Sequence, residues 1–297
     1  MPVGSQASRW DAPWLNAQYN NRARVPESPQ ILARWAQDSA QVRQDLPCHL
    51  DVRYGSGAAE RLDIFSAHAP LGAPRSVLFF IHGGWWRALD KSDHSWIAPA
   101  FCRSGHVVVV PNYDLCPAVG IDTIAMQMAR ALAWCVRHIG AYGGDPHRLV
   151  VAGHSAGGHL AAMMLCADGR KLGVDLPASL VGEAVSISGV FDLEPIRLTP
   201  FLKPDLRLTP ALVRRLSPAG FAPPARGRLW ALAGAEESEE FLRHNRLIRS
   251  RWGKRAVPLC ETVAGCDHFT VLDDLASPQG KLHAVVRRLL DGGPRPT

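Results

Sequence analysis

Residues 149–159 constrain the fold most, because an apolar, strand-like run breaks into Gly153-His154-Ser155-Ala156-Gly157 and continues as a helix-forming stretch. A G-x-S-x-G sequence at such a junction is typical of a sharp strand-to-helix turn, in which a strained serine projects its Oγ from the end of a sheet. The two glycines remove side chains that would clash there. By itself the segment fits either a strand, a nucleophilic Ser155 and a helix, or an ordinary glycine-rich turn between a strand and a helix.

A second motif precedes the first. Residues 76–81 form an apolar run that predicts a buried strand, and His82-Gly83-Gly84-Trp85-Trp86 follows it. Adjacent glycines let backbone amides turn toward one point, and acyl transfer needs such donors for its tetrahedral oxyanion. The amides of Gly83, Gly84 and Ala156 are therefore candidate oxyanion donors. Both motifs, in this order, favour an α/β-hydrolase fold with a mostly parallel central sheet flanked by helices.

A serine hydroxyl needs a base within hydrogen-bond reach, and the expected chain order is serine, acid, histidine. Three histidines lie well after Ser155: His244, His268 and His283. His244 falls in a charged helical stretch, and His283 falls on an amphipathic helix predicted over residues 281–290. His268 lies in a loop-like segment and is the candidate base.

The orienting acid is less well defined by the sequence. Residues 228–234 predict a strand, and Glu236 and Glu237 follow its carboxyl end, where functional groups gather in open α/β sheets. Asp267 is weaker because its side chain is placed to cap the next turn, and Asp192 is an alternative from the preceding predicted strand. Spacing does not separate Glu236 from Glu237.

With these motifs the chain resembles the arylformamidase (kynurenine formamidase) branch of the α/β-hydrolases, close to the hormone-sensitive-lipase-like esterases. The resemblance covers most of residues 50–290. Its segments are HGGWW at 82–86, YDLCP at 113–117, GHSAGGH at 153–159, SGVFDLEPI at 188–196, ESEEF at 237–241 and DHF at 267–269. SGVFDLEPI is the most specific, since no generic catalytic reason accounts for it.

The resemblance implies a serine hydrolase that cleaves N-formyl-aryl amides or aryl esters with a small acyl group. It implies Glu237 as the acid, at a position where the family often has aspartate. The segment Tyr19-Asn20-Asn21-Arg22 resembles the family's N-terminal segment, which tends to lie over the pocket. Alternatives are a general short-chain carboxylesterase, a thioesterase, and a binding protein of the same fold without catalysis.

Aromatic residues near these motifs are candidates for the wall of a pocket that accepts an aromatic leaving group, although such residues equally serve core packing. They are Trp85, Trp86, Tyr113, Phe191 and Phe269.

Length and composition favour a single domain over residues 1–297, since 47% of the residues are hydrophobic and no linker or repeat stands out. Residues 1–48 are predicted to form an N-terminal extension with a helix over residues 28–44. The proline-rich residues 197–224 are predicted to be a cap-like insertion, and residues 292–297 a disordered tail.

The formal net charge is +6, but the arginines are scattered and no basic stretch alternates with aromatics, so a nucleic-acid partner is not expected. No run is long and apolar enough for a membrane span, and residues 1–11 lack the apolar core of a signal peptide. The seven cysteines form no C-x-x-C pair. We therefore expect a soluble, cytoplasmic enzyme with a small-molecule substrate, no metal and no cofactor; a homodimer stays open.

Overall fold

In the residues that the structure describes, eight strands form one sheet. The computed structural model describes residues 10–66 and 74–292. Residues 293–297 of the tail that is predicted to be disordered lie outside the described residues. The strands are β1 (Cys48–Arg53), β2 (Arg61–Phe65), β3 (Arg75–Ile81), β4 (Val107–Pro111), β5 (Gly144–His154), β6 (Glu183–Ile187), β7 (Arg228–Gly234) and β8 (Leu259–Val263). Their spatial order is β1-β2-β4-β3-β5-β6-β7-β8.

The sheet is mostly parallel. β1 and β2 pair antiparallel, β2 and β4 also pair antiparallel, and every other neighbouring pair is parallel. β3 and β5 lie side by side near the centre, with Ile81 opposite Gly153. Because parallel strands end at the same edge, the segments after β3 and β5 meet there.

Helices cover both faces of the sheet. Along β3, Val77 and Phe79 pack into the core on one face, and Leu78 and Phe80 pack into the core on the other. This alternation follows the two-residue period of a strand buried on both sides. The longer helices are α3 (Ser28–Asp45), α5 (Ile121–His138), α6 (Ala156–Leu165), α10 (Glu239–Ala256) and α12 (Lys281–Leu290).

Seven of the helices in the described residues are shorter. They are α1 (Ala12–Tyr19), α2 (Asn21–Arg24), α4 (Ala98–Cys102), α7 (Glu194–Leu198), α8 (Lys203–Leu206), α9 (Pro210–Leu216) and α11 (Val271–Ala276). The proline-rich segment between β6 and β7 contains α7, α8 and α9, because Pro195, Pro204 and Pro210 fall in the first turns of these helices.

The local predictions agree closely with these bounds. The predicted strand over 228–234 and the predicted helix over 281–290 coincide with β7 and α12, and the helix predicted over 28–44 is α3. The fold predicted from the motifs, a mostly parallel sheet flanked by helices, is confirmed. Within residues 10–66 and 74–292, no helix combines the length and apolar character that crossing a membrane requires.

Candidate active site

The backbone at Ser155 is strained at the junction of β5 and α6. Its φ of 56° and ψ of −116° lie in a region that residues other than glycine rarely adopt. A Cβ atom at Gly153 would lie 2.1 Å from the carbonyl oxygen of Gly157, so a larger residue does not fit this turn. Ser155 is only 3% exposed, yet it lines a cavity at the end of the sheet.

The structure brings Ser155, His268 and Glu237 into one chain of hydrogen bonds. Ser155 Oγ lies 3.1 Å from His268 Nε2, and His268 Nδ1 lies 2.7 Å from Glu237 Oε2. A carboxylate only accepts hydrogen bonds, so Nδ1 carries the ring proton and Nε2 presents its lone pair to the serine hydroxyl. This arrangement can take a proton from Ser155 while the carboxylate stabilises the resulting imidazolium.

Two further donors hold the Glu237 carboxylate. Its Oε1 accepts the N–H of Gly234 at 2.7 Å and the hydroxyl of Ser188 at 2.5 Å, which leaves Oε2 for His268. Ser188 directly follows β6 and has a positive φ of 54°. Sequence reasoning did not single out Ser188; the available signal was its place after a strand end, equivalent to that of Ser155 after β5.

The other acidic candidates do not reach the histidine. Glu236 is exposed. Asp267 caps its own turn, because Oδ1 accepts the N–H groups of the second and third residues after it. Asp192 likewise accepts the N–H two residues later. Of these four carboxylates, only Glu237 contacts His268.

The other two late histidines are buried structural groups. His244 Nδ1 accepts the backbone N–H of Phe191, and its Nε2 lies 3.2 Å from the hydroxyl of Tyr19. His283 Nδ1 lies 3.1 Å from the carbonyl oxygen of Leu275. Burial lowers the pKa of both rings, which keeps them neutral.

His154 supports the loop that carries His268. Its Nε2–H donates to the carbonyl oxygen of His268 at 2.8 Å, and the two ring centroids are 4.7 Å apart. Burial, reinforced by the neighbouring His268 ring, lowers the pKa of His154 well below its ordinary value. A neutral His154 can therefore fix the loop without placing a positive charge beside the candidate base.

The loop after β3 lies against the serine. A Cβ atom at Gly83 would be 3.1 Å from the Cβ of Ser155. Among the described residues, neither Gly83 N–H nor Gly84 N–H donates a hydrogen bond in this loop. Ala156 is the first residue of α6, where backbone N–H groups have no partner within the helix. Gly83 therefore lies beside Ser155 in space, and Ala156 follows it directly in the chain.

Tyr113 supports this loop from inside the protein. Its ring stacks on His82 with centroids 4.2 Å apart, and its hydroxyl donates to the carbonyl oxygen of His82 at 2.9 Å. Burial lowers the pKa of His82, whose Nε2 lies 3.2 Å from Asn112 Oδ1. The loop conformation therefore rests on a buried polar stack.

The structure corrects part of the predicted aromatic wall. Trp85 and Phe269 line the cavity, whereas Trp86, Tyr113 and Phe191 do not. These three side chains are at most 1% exposed, because they pack in the core beneath the loops that carry them. Their assignment as pocket residues is wrong.

The cavity at Ser155 has a volume of about 430 Å³, within the usual range for small-molecule sites. The N-terminal segment forms part of the cavity wall, as the resemblance implied for residues 19–22. The segment between β6 and β7 forms another part of the wall. Its lining comprises Asn20, Asn21, Arg22, Leu32, Trp35, Gly84, Trp85, Arg87, Ala88, Leu89, His154, Ser155, Phe201, Asp205, His268 and Phe269. Across residues 10–66 and 74–292, no cluster of three or more His, Cys, Asp or Glu side chains is arranged to hold a metal ion.

Comparisons with known proteins point to hydrolases. The BD-FAE family matches residues 62–197. Kynurenine formamidase of Danio rerio is 27% identical over 289 residues, which cover 95% of this chain and 93% of the fish protein. An esterase of Mycobacterium tuberculosis is 33% identical over 150 residues, which cover 48% of this chain and 35% of that protein.

A solved structure from Silicibacter sp. TM1040, provisionally described as a thioesterase, is similar over nearly its whole length. It is 29% identical, with a TM-score of 0.78, and the match covers 91% of this chain and 97% of that chain.

Proposed function

We propose that this chain, which has an α/β-hydrolase fold and is similar to kynurenine formamidases, cleaves N-formyl-aryl amides or aryl esters with a small acyl group. The proposed catalytic groups are Ser155, His268 and Glu237. The observation that carries the proposal is the continuous relay from Ser155 Oγ through His268 to Glu237, at the floor of the cavity.

The reaction proceeds in two acyl-transfer steps. His268 Nε2 takes the proton of Ser155 as Oγ attacks the substrate carbonyl carbon, and Glu237 stabilises the imidazolium. The amides of Gly83, Gly84 and Ala156 donate to the oxyanion of the tetrahedral intermediate. His268 then gives its proton to the leaving nitrogen or oxygen as that bond breaks, which leaves Ser155 acylated.

Water completes the cycle. His268 takes a proton from the water that attacks the acyl carbon, and Ser155 regains a proton as the carboxylic acid leaves. An aryl amine is a poor leaving group without protonation, so a formamide depends on His268 in this step more than a phenyl ester does. The ring of Phe269 provides apolar surface for an aromatic leaving group.

A general short-chain carboxylesterase would use the same groups, and the M. tuberculosis esterase supports this second candidate. The two candidate functions differ in the size of the acyl group that the cavity accepts.

Replacing the nucleophile tests the proposal directly. We expect Ser155→Ala to lower kcat for p-nitrophenyl acetate and for N-formylaniline by about 10⁴–10⁶-fold, since the covalent step is lost. Ser277→Ala, a change outside the cavity, serves as the matched control and keeps wild-type rates. Circular dichroism and the urea midpoint establish that both variants fold. Near wild-type turnover by a folded Ser155→Ala protein contradicts the serine mechanism.

A further inference from the structure

A second cavity lies at the opposite edge of the sheet, where β6 and β7 begin. Glu183 and Arg228, the first residues of these strands, line it, and its volume is about 780 Å³. Ser155, Ser188 and Glu237 follow the other ends of β5, β6 and β7 and do not line it. A ligand in this second cavity would therefore leave the cavity at Ser155 open to substrate.

Four arginines from three segments of the chain line the second cavity. They are Arg148 of β5, Arg226 just before β7, Arg228 of β7 and Arg288 of α12. No two of the four are adjacent in the sequence, so they form no basic run. The cluster arises because the strands and α12 bring these segments together.

The strand register places two of these arginines on one face of the sheet. Val150 of β5 pairs with Glu183 of β6, which pairs with Arg228 of β7. Arg148 precedes Val150 by two residues and therefore faces the same side, since side chains alternate along a strand. Arg148 Nη2 donates to the carbonyl oxygen of Leu290 at 3.1 Å, so α12 covers this side. Two strand spacings, about 10 Å, separate β5 from β7.

The described lining of the second cavity carries more positive than negative charge. It contains the four guanidinium groups and two carboxylates, those of Asp175 and Glu183. The Asp175 carboxylate is already paired with Arg137, which lies outside the lining. Glu183 Oε2 accepts the indole N–H of Trp230 at 2.8 Å. The excess of guanidinium groups favours an anionic ligand.

Arg226 and Arg288 are the arginines most accessible to such a ligand. Both are exposed, and neither forms an ion pair with a carboxylate in the part of the chain that the structure describes. Arg288 Cζ lies 4.9 Å from the centroid of the Trp230 ring. This stacking holds the guanidinium in place while its N–H groups can still donate to a ligand, so little conformational entropy is lost on binding.

We propose that Arg148, Arg226 and Arg288 bind a diphosphate group, as pyrophosphate or as part of a nucleotide. A planar guanidinium donates two parallel hydrogen bonds to phosphate oxygens, and two linked phosphates offer acceptors to more than one arginine. A single phosphate group offers fewer acceptors to arginines on strands about 10 Å apart. Trp230 is 1% exposed and provides no surface on which a base could stack, so the diphosphate is the group recognised.

Calorimetric titration of the full chain at constant ionic strength tests this site. The ligands are pyrophosphate, ADP and inorganic phosphate. The test variant combines Arg226→Gln with Arg288→Gln. The matched control combines Arg214→Gln with Arg251→Gln, which removes two exposed arginines outside the lining of both cavities. Both variants lose the same net charge, so the comparison separates a local site from general attraction of anions to a basic protein.

We expect pyrophosphate and ADP to bind the wild type and the control variant equally well. The test variant should bind both about 100-fold more weakly, about tenfold for each arginine that loses its charged hydrogen bonds. Inorganic phosphate should bind the wild type about tenfold more weakly than pyrophosphate does. Equal affinities of the two variants for pyrophosphate overturn the site. So does the absence of pyrophosphate binding at about 1 mM, even if ADP binds, because the nucleoside would then be the group recognised.

A single substitution guards against a change in folding. Arg288→Gln also removes the contact with Trp230, whereas Arg226→Gln removes no ion pair with a described carboxylate. We expect Arg226→Gln alone to weaken pyrophosphate binding about tenfold and to leave the urea midpoint unchanged. An unchanged Kd in folded Arg226→Gln overturns the proposal. These measurements follow binding and not hydrolysis, so their outcome is independent of the proposed function.

Discussion

Glu237 shows how hydrogen-bond donors select one carboxylate from several neighbours. Its Oε1 is held by Gly234 N–H and the Ser188 hydroxyl, and its Oε2 is thereby directed at His268. Glu236, one residue earlier, is exposed and has no such support. A side chain one methylene longer than the aspartate often found in the resembled family can therefore still orient the ring.

The three acidic residues near His268 are distinguished by substitution. We expect Glu237→Gln to lower kcat for p-nitrophenyl acetate by about 10³–10⁴-fold, because the imidazolium loses its carboxylate partner. Glu236→Gln is the matched control and retains nearly wild-type kcat. A loss confined to Glu236→Gln or to Asp267→Asn would assign the acid to that residue instead.

Trp85 and Trp86 are adjacent but face different surroundings. Trp85 lines the cavity, whereas Trp86 is fully buried. The Trp86 ring packs edge-on against the His159 ring, with the two ring centroids 5.0 Å apart. Substitutions at the two positions should therefore affect different properties.

In the wild-type enzyme we expect kcat/KM to fall steeply from acetyl to hexanoyl p-nitrophenyl esters, since each misfit methylene costs about 1–3 kcal/mol. Trp85→Ala should flatten this dependence by enlarging the acyl side of the cavity. Wild-type rates that rise from acetyl to hexanoyl would favour the general carboxylesterase.

Trp86→Ala should instead lower the free energy of unfolding by about 3–5 kcal/mol.

At the scale of elements, the loop after β8 rests directly on the end of β7. A Cβ atom at Gly234 would lie 2.3 Å from the carbonyl oxygen of Cys266 and 2.7 Å from that of Asp267. The backbone N–H of Glu236 donates to Cys266 O at 3.0 Å, which joins the two segments. This close approach carries His268 to Glu237.

Enlarging the contact should displace the histidine loop. We expect Gly234→Ala to lower kcat by about 10²-fold, the usual effect of a shift of about 1 Å in a catalytic group. Gly220→Ala is the matched control, because a Cβ there meets nothing within 4 Å. Unchanged kcat in a folded Gly234→Ala protein would show that the loop tolerates the added methyl group.

At the scale of the whole molecule, the fold buries several histidines as neutral rings. Burial lowers the pKa of His94 to about 3 and that of His159 to about 4. His82, His154 and His244 are shifted in the same direction, also by burial. In the unfolded chain these rings titrate near their ordinary pKa of about 6.5.

The folded protein should therefore lose stability at pH values well above the range in which carboxylates titrate. Above about pH 6.5 these rings are neutral in both the folded and the unfolded state. Below about pH 6.5 the rings bind protons in the unfolded chain, whereas in the folded protein they stay neutral until the pH falls to their lower pKa values. Each such histidine then removes about 1.4 kcal/mol of stability per pH unit.

Urea unfolding at pH 7.5, 6 and 5 measures this loss. His159→Gln is expected to reduce the slope between pH 6 and pH 5 by about 1.4 kcal/mol per unit, whereas the exposed His147→Gln leaves it unchanged. A free energy of unfolding that is constant from pH 7.5 to pH 5 would contradict the prediction.

Features that depend on local backbone constraints could be predicted from the sequence. The glycines around Ser155, the apolar runs of β3, β5 and β7, and the loop setting of His268 each leave a pattern within a few residues. Parallel strands end at a common edge, so these patterns also predict that the candidate groups gather there. The α/β-hydrolase fold could be predicted on that basis.

Which side of each loop a side chain faces could not be predicted, because it depends on contacts with distant segments. Spacing left Glu236 and Glu237 equal, and only the contacts with Ser188 and Gly234 separate them. The burial of Trp86, Tyr113 and Phe191 also had no local signal. These features depend on contacts between segments far apart in the chain, and no short stretch of sequence encodes such packing.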